Sequence, residues 1–158
     1  MTTTASTRRS VDRQTPPAVA GAVLGLVDRA REGLLQACHA SVSNERYGLA
    51  HLAALRAAAA LLAGRPGSGL GRSGPRNVWV VVPRVAPELA EWAEFFAEVS
   101  RRRRQIERGT VCVSTREADD LVRQCETFLE LVLAALGLPM QTSVATCVTP
   151  TRRSGPAL

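Results

Sequence analysis

The chain has 158 residues, a length that suits one domain built round one hydrophobic core. All 20 basic residues are arginine and 14 residues are acidic, so the net charge is +6, which puts nucleic acid among the partners to consider. The charge is not spread evenly: residues 1–17 carry +2, 65–76 carry +3 and 138–158 carry +2, which leaves −1 for everything else and excludes a basic domain body.

Residues 1–16 hold Thr, Ser and Arg with almost nothing apolar, and are expected to be a disordered arm. Pro16-Pro17 opens a first helix to about residue 40, since proline is tolerated in a first turn. Val19, Val23, Leu26, Ala30, Leu34, Ala37 and Cys38 recur at three- and four-residue steps and predict its buried stripe. A second helix is expected from about 43 to 63, capped by Ser43 or Asn44. Its wide apolar face runs from Tyr47 to Leu62, and its alanines at 53, 54 and 57–60 predict a closely packed neighbour. Gly64 closes it, and the Gly/Ser/Pro-rich residues 65–76 read as a flexible loop.

Val78-Trp-Val-Val-Val-Pro83 favours a strand by propensity. Only the fragment Val111-Cys-Val113 is available to pair with it, so a short helix or an extended segment packing Trp79 is expected. From Pro87 to about 106, Leu89, Trp92, Phe96, Val99 and Ile106 form a near-heptad seam. Ser114-x-x-Glu117 is a capping box that starts the last helix at Thr115. Leu121, Cys125, Phe128, Val132 and Leu136 give it one apolar stripe, ended by Gly137-Leu-Pro139. The expected fold is all-α: an antiparallel up-and-down bundle of four long helices plus the short segment, over residues 17–137, with a disordered tail at 138–158.

Cys38, Cys112, Cys125 and Cys147 show no CxxC spacing and no local pairing with histidine at metal-ligand spacing, so no metal and no cofactor is expected. Cys38 and Cys125 fall at apolar helical positions and read as small hydrophobes. Arg8-Arg9 precedes an apolar run, but Asp12 and Asp28 break the pattern of an export signal. No window approaches the ~20 apolar residues that a bilayer span needs. A cytoplasmic protein with reduced thiols and no membrane association is the expectation.

One pairing bears on chemistry. Arg46 and His51 make an Arg-x4-His spacing on the second helix. Metal-independent RNA cleavage needs a general acid–base, the usual role of histidine, and a fixed cation for the developing phosphate charge, a role that suits arginine. Five residues on a regular helix set two side chains about 140° apart, so the pair converges poorly within one helix. The other reading is that His51 is hydrogen-bonded inside the bundle while Arg46 pairs with acids nearby. Arg101, Arg102, Arg103 and Arg104 are the candidate nucleic-acid contacts. They close a helix that begins with Glu88, Glu91 and Glu94, a distribution that complements the helix dipole, and Glu98–Arg102 has i,i+4 spacing.

Glu45-Arg46-Tyr47, the run from His51 to Ala58, the run from Val85 to Ala93 and Arg116-Glu-Ala-Asp-Asp-Leu121 resemble recurring segments of HEPN domains. The likeness is greatest to a small actinobacterial HEPN subfamily and covers about residues 18–137. The resemblance implies a four- or five-helix bundle in RNA- or nucleotide-associated biology. Catalytic members carry Arg-x4–6-His and cut RNA without metal as dimers; by that likeness His51 is the acid–base, Arg46 the phosphate stabiliser and Glu45 an orienting group. Here Tyr47 stands where the family often has a polar residue. Non-catalytic members are dimerisation or binding modules. The expected partners are therefore a second copy, RNA or another protein.

Overall fold

A computed structural model describes residues 16–66 and 77–139. The expected arm, the expected tail and most of the expected 65–76 loop lie outside the described residues. The order is α1 (Pro17–His39), α2 (Ser43–Gly64), α3 (Val78–Val85), a 3-10 turn (Pro87–Leu89), α4 (Ala90–Glu107) and α5 (Thr115–Ala135). The fold is all-α, and among the described residues there is no strand.

α1 and α2 form an antiparallel hairpin across the turn Ala40–Val42. Gly33 lies where a Cβ would meet Ala53, and Gly64 sits beside Val23, so small residues let the two backbones approach. α2 is the centre of the molecule: Ala50, Ala53, Ala54, Ala57, Ala58, Ala60, Leu61 and Leu62 are all buried, with α1 and α5 as its main neighbours and α3 and α4 against the remaining side. Hence a helix expected to show one wide face is apolar nearly all round. Contrary to the expectation that no window approaches a bilayer span, α2 is long and apolar enough to cross a membrane by length and composition alone, and 56% of that window is buried inside the bundle.

Successive long helices run antiparallel, while the short α3 runs parallel to α2, its start beside His51 and its end at Arg65, and α2 and α5 lie parallel and in direct contact. Ser43 Oγ meets Thr115 Oγ1 at one end, Cys125 Sγ donates to Ala50 O in the middle, and Gly64 faces Leu136 at the other. α4 crosses the opposite way, with the side chain of Ser100 at His51 and that of Arg103 at Gly48 O. α4 meets α5 largely through aromatic rings: Phe96 and Trp92 lie 4.9 and 5.9 Å from Phe128.

The ambiguous valine run is helical. Asn77 caps it, its side chain accepting from Trp79 N at 3.1 Å, and Trp79, Val81 and Val82 are buried. With no strand to pair with, the backbone satisfies itself in a helix, and Trp79 stacks on Phe96 at 4.9 Å. Pro83 lies inside this helix, which ends two residues later. The α2 start differs from expectation: neither Ser43 nor Asn44 caps it. Val42 is the N-cap residue, while Asn44 accepts from Val113 N and Ser43 reaches Thr115, both bonds tying α2 to the start of α5. Ser114 does cap α5 through Glu117 N, although the Glu117 carboxylate turns to Arg102 instead of closing the box.

Candidate functional site

His51 sits two turns into α2, on the side facing α3 and α4, and is 5% exposed. Its Nε2 lies 2.8 Å from Ser100 Oγ and its Nδ1 3.3 Å from Arg103 Nη1. The proton positions follow from the partners. A guanidinium only donates, so Nδ1 accepts and carries no proton. Ser100 spends its own proton on Phe96 O at 2.8 Å and already accepts from Trp79 Nε1 at 3.0 Å. Its remaining lone pair takes the Nε2 proton. The ring is therefore a neutral Nε2–H tautomer with both nitrogens engaged. Burial first, and then Arg103 and Arg104, push its pKa from 6.5 down to about 4, against a smaller upward pull from Glu107.

Arg46 leaves α2 on another side. Its Nε and Nη2 donate to Ala40 O at 3.1 and 2.7 Å, and its Nη1 pairs with Asp119 of α5. It closes the C-terminal end of α1 and ties it to α5, with its side chain 17% exposed and that of Asp119 24%. Arg46 and His51 are thus not brought together within the chain, as the 140° offset requires. Glu45 lies beside them in sequence but lines a different hollow, with Leu52, Ile106 and Arg103.

The four arginines separate as expected of consecutive helical residues. Arg101 pairs with Glu98; Arg102 pairs across to Glu117 at 3.1 Å; Arg103 bonds Glu107 at 2.9 Å, Gly48 O and His51. The anticipated Glu98–Arg102 pair does not form, because Glu117 of α5 faces Arg102 and Glu98 is left to Arg101. Arg104 is exposed and lines, with His51, Trp79, Ser100 and Arg103, an open groove of about 480 Å³.

Sequence reasoning named His51 but none of its partners. Ser100 and Arg103 are 49 and 52 residues away. One signal was present: Ser100 follows Phe96 by four residues, continuing the buried seam with a polar side chain that needs a partner. Tyr47, at the polar position of the resemblance, is buried, and burial and then Glu117 push its phenol up to about 12, so it stays neutral. Cys125 is buried with its thiol pushed well up, which fits a packing residue. Among the described residues no group of His, Cys, Asp and Glu is arranged to hold a metal ion.

The family model described as SAV_6107-like HEPN matches residues 37–133, from the last turn of α1 through nearly all of α5. No curated protein and no solved structure matches the chain. The matched segment is well over half of the sequence and contains the central helix, the His51–Ser100–Arg103 cluster and the Arg46–Asp119 tie. This chain belongs to the SAV_6107-like HEPN family.

Proposed function

We propose that this HEPN domain acts as a non-catalytic helical module for dimerisation or partner binding, with Arg46 and His51 holding the bundle together. The observation that carries this reading is that both nitrogens of His51 are already bonded, to Ser100 and Arg103. A general acid–base must reach its substrate with a free nitrogen and titrate near the working pH. His51 has no free nitrogen, and its pKa of about 4 keeps it from carrying the imidazolium proton that a general acid would give at pH 7. Arg46 spends its donors on Ala40 O and Asp119, which leaves little for a phosphate.

The second reading is metal-independent RNA cleavage in RNA-associated biology, with His51 as acid–base and Arg46 and Glu45 assisting. One feature favours it: His51 borders the 480 Å³ groove beside Arg103 and Arg104, where a phosphate would meet cations. In that case Arg103 must swing off Nδ1 when RNA binds.

One experiment separates them. The purified chain and its His51→Ala variant are incubated with single-stranded and hairpin RNAs in EDTA. The proposed module cuts neither above the background of the variant. Cleavage that is lost in a folded His51→Ala protein would establish the second reading instead. Mass by light scattering then reports whether a second copy is the partner.

A further inference from the structure

Along α4, Glu91, Glu94, Glu98, Arg101, Gln105 and Arg108 follow one another at alternating three- and four-residue steps. That spacing gathers them within about 100° of one another round the helix. All are exposed, on the side of α4 turned away from α2 and α3. Glu98 pairs with Arg101 inside the chain, whereas Glu91, Glu94 and Arg108 have no ion pair among the described residues. The helix dipole accounts for acids coming before bases. It does not require them to share one face.

The stripe is complementary to itself when reversed. Against a second, antiparallel copy of α4, with the two-fold axis level with Val99 and Ser100, Glu91 falls opposite the second copy's Arg108. Glu94 then meets its Gln105, and Glu98 its Arg101. Every layer sets an acid against a base or an amide, and no like charges meet. Parallel copies would instead set acid on acid and base on base. Exposed pairs of this kind fix register and orientation more than affinity.

An apolar contact lies beside the stripe. Phe95 is 40% exposed and stands on the α5 side of it. The ring is at the rim of a groove of about 320 Å³ between α4 and α5, whose apolar lining includes Tyr47, Val99 and Leu121. The same register brings Phe95 within about 3 Å, along the helix axis, of the second copy's Arg102. Arg102 walls the groove. Each phenyl ring therefore covers the mouth of the opposite groove, and leaving water there supplies the apolar share of the association.

We propose that the partner is a second copy of this chain, packed antiparallel along α4 about a two-fold axis, with Glu91 and Arg108 paired at both ends and each Phe95 closing the other copy's groove. This rests on the reading of the domain as a dimerisation module and names its surface. Ser100 and Arg103 project from the other side of α4 toward His51, so the histidine cluster stays outside the interface.

Sedimentation velocity of the full chain across a range of concentrations tests it, and a reversible dimer is expected. Glu91→Arg and Arg108→Glu each set like charges against one another at both ends of the interface, and each alone should weaken the dimer roughly tenfold. Combining the two changes restores both pairs with their signs exchanged and should recover most of the loss. Both positions are exposed and without an ion pair among the described residues, so thermal melts of all three variants should stay close to wild type. Phe95→Ser should weaken the dimer as well. A chain that stays monomeric, a dimer indifferent to either single charge change or to Phe95→Ser, or a combined variant that fails to recover would overturn the proposal. A monomer that cuts no RNA would sink this interface and leave the non-catalytic reading standing with another protein as partner. RNA cleavage lost with His51→Ala, alongside a dimer recovered by the charge exchange, would sink that reading and leave the interface.

Discussion

Arg103 Nη1 lies 3.3 Å from Nδ1 of His51, and this contact fixes the histidine as a neutral acceptor. It places the histidine of an Arg-x4-His motif opposite an arginine of another helix, while the motif's own arginine, Arg46, serves the α1 turn and α5. His51→Ala should therefore lose a buried, doubly bonded ring and leave Ser100 and Arg103 short of partners. A destabilisation of about 1–3 kcal/mol in urea melts is expected.

The same burial makes stability depend on pH. His51 titrates near 4 in the folded protein against 6.5 ordinarily, so on acidification the unfolded chain takes up this proton first. Its contribution is complete above pH 6.5 and drains away as pH falls from 6.5 toward 4, on the order of 3 kcal/mol in all. Carboxylates titrate in part of that window, so the difference between wild type and His51→Asn is the quantity to follow. The difference should shrink between pH 7 and pH 4.5.

Arg46→Ala should cost stability even though Arg46 looks like a surface residue in the sequence. It removes two bonds to Ala40 O and a half-buried pair with Asp119, together about 1–3 kcal/mol. Arg46→Lys cannot keep the forked geometry and should recover only part of it. Thermal melts of both variants check this; an unchanged melting temperature would show the tie to be idle.

How far could this be read beforehand? The long helices were legible because Val23, Ala30 and Leu34, or Leu121, Cys125 and Phe128, announce their faces at helical spacing. The state of residues 78–85 was not, because three valines favour a strand locally and only the absence of a pairing edge, the Asn77 cap and the seat for Trp79 decide for helix. At the candidate site, the divergence of Arg46 and His51 followed from helix geometry alone. Their partners did not, since Asp119, Ser100 and Arg103 come from distant helices. For the same reason Glu98–Arg102, correct in spacing, lost to the cross-helix acid Glu117.

Nucleic-acid affinity, if measured, should be mostly electrostatic. Arg101, Arg102 and Arg103 are paired with acids, and residues outside 1–17, 65–76 and 138–158 sum to −1. Retention of a labelled single-stranded RNA should fall steeply between about 50 and 200 mM salt. Replacing Arg8, Arg9, Arg13, Arg72, Arg76, Arg152 and Arg153 with glutamine should weaken it far more than Arg104→Gln. Salt-resistant binding that depends on Arg104 would instead mark the groove beside His51 as a site.

The most direct measurement is a nitrogen-15 NMR titration of the His51 ring, assigned by comparison with His51→Asn. A single neutral Nε2–H tautomer is expected at pH 7, staying without a second proton to below pH 5, with Nδ1 showing the shift of an acceptor. A ring that exchanges between tautomers at neutral pH and titrates near 6.5 would contradict it, because such a histidine would be free to act as an acid–base.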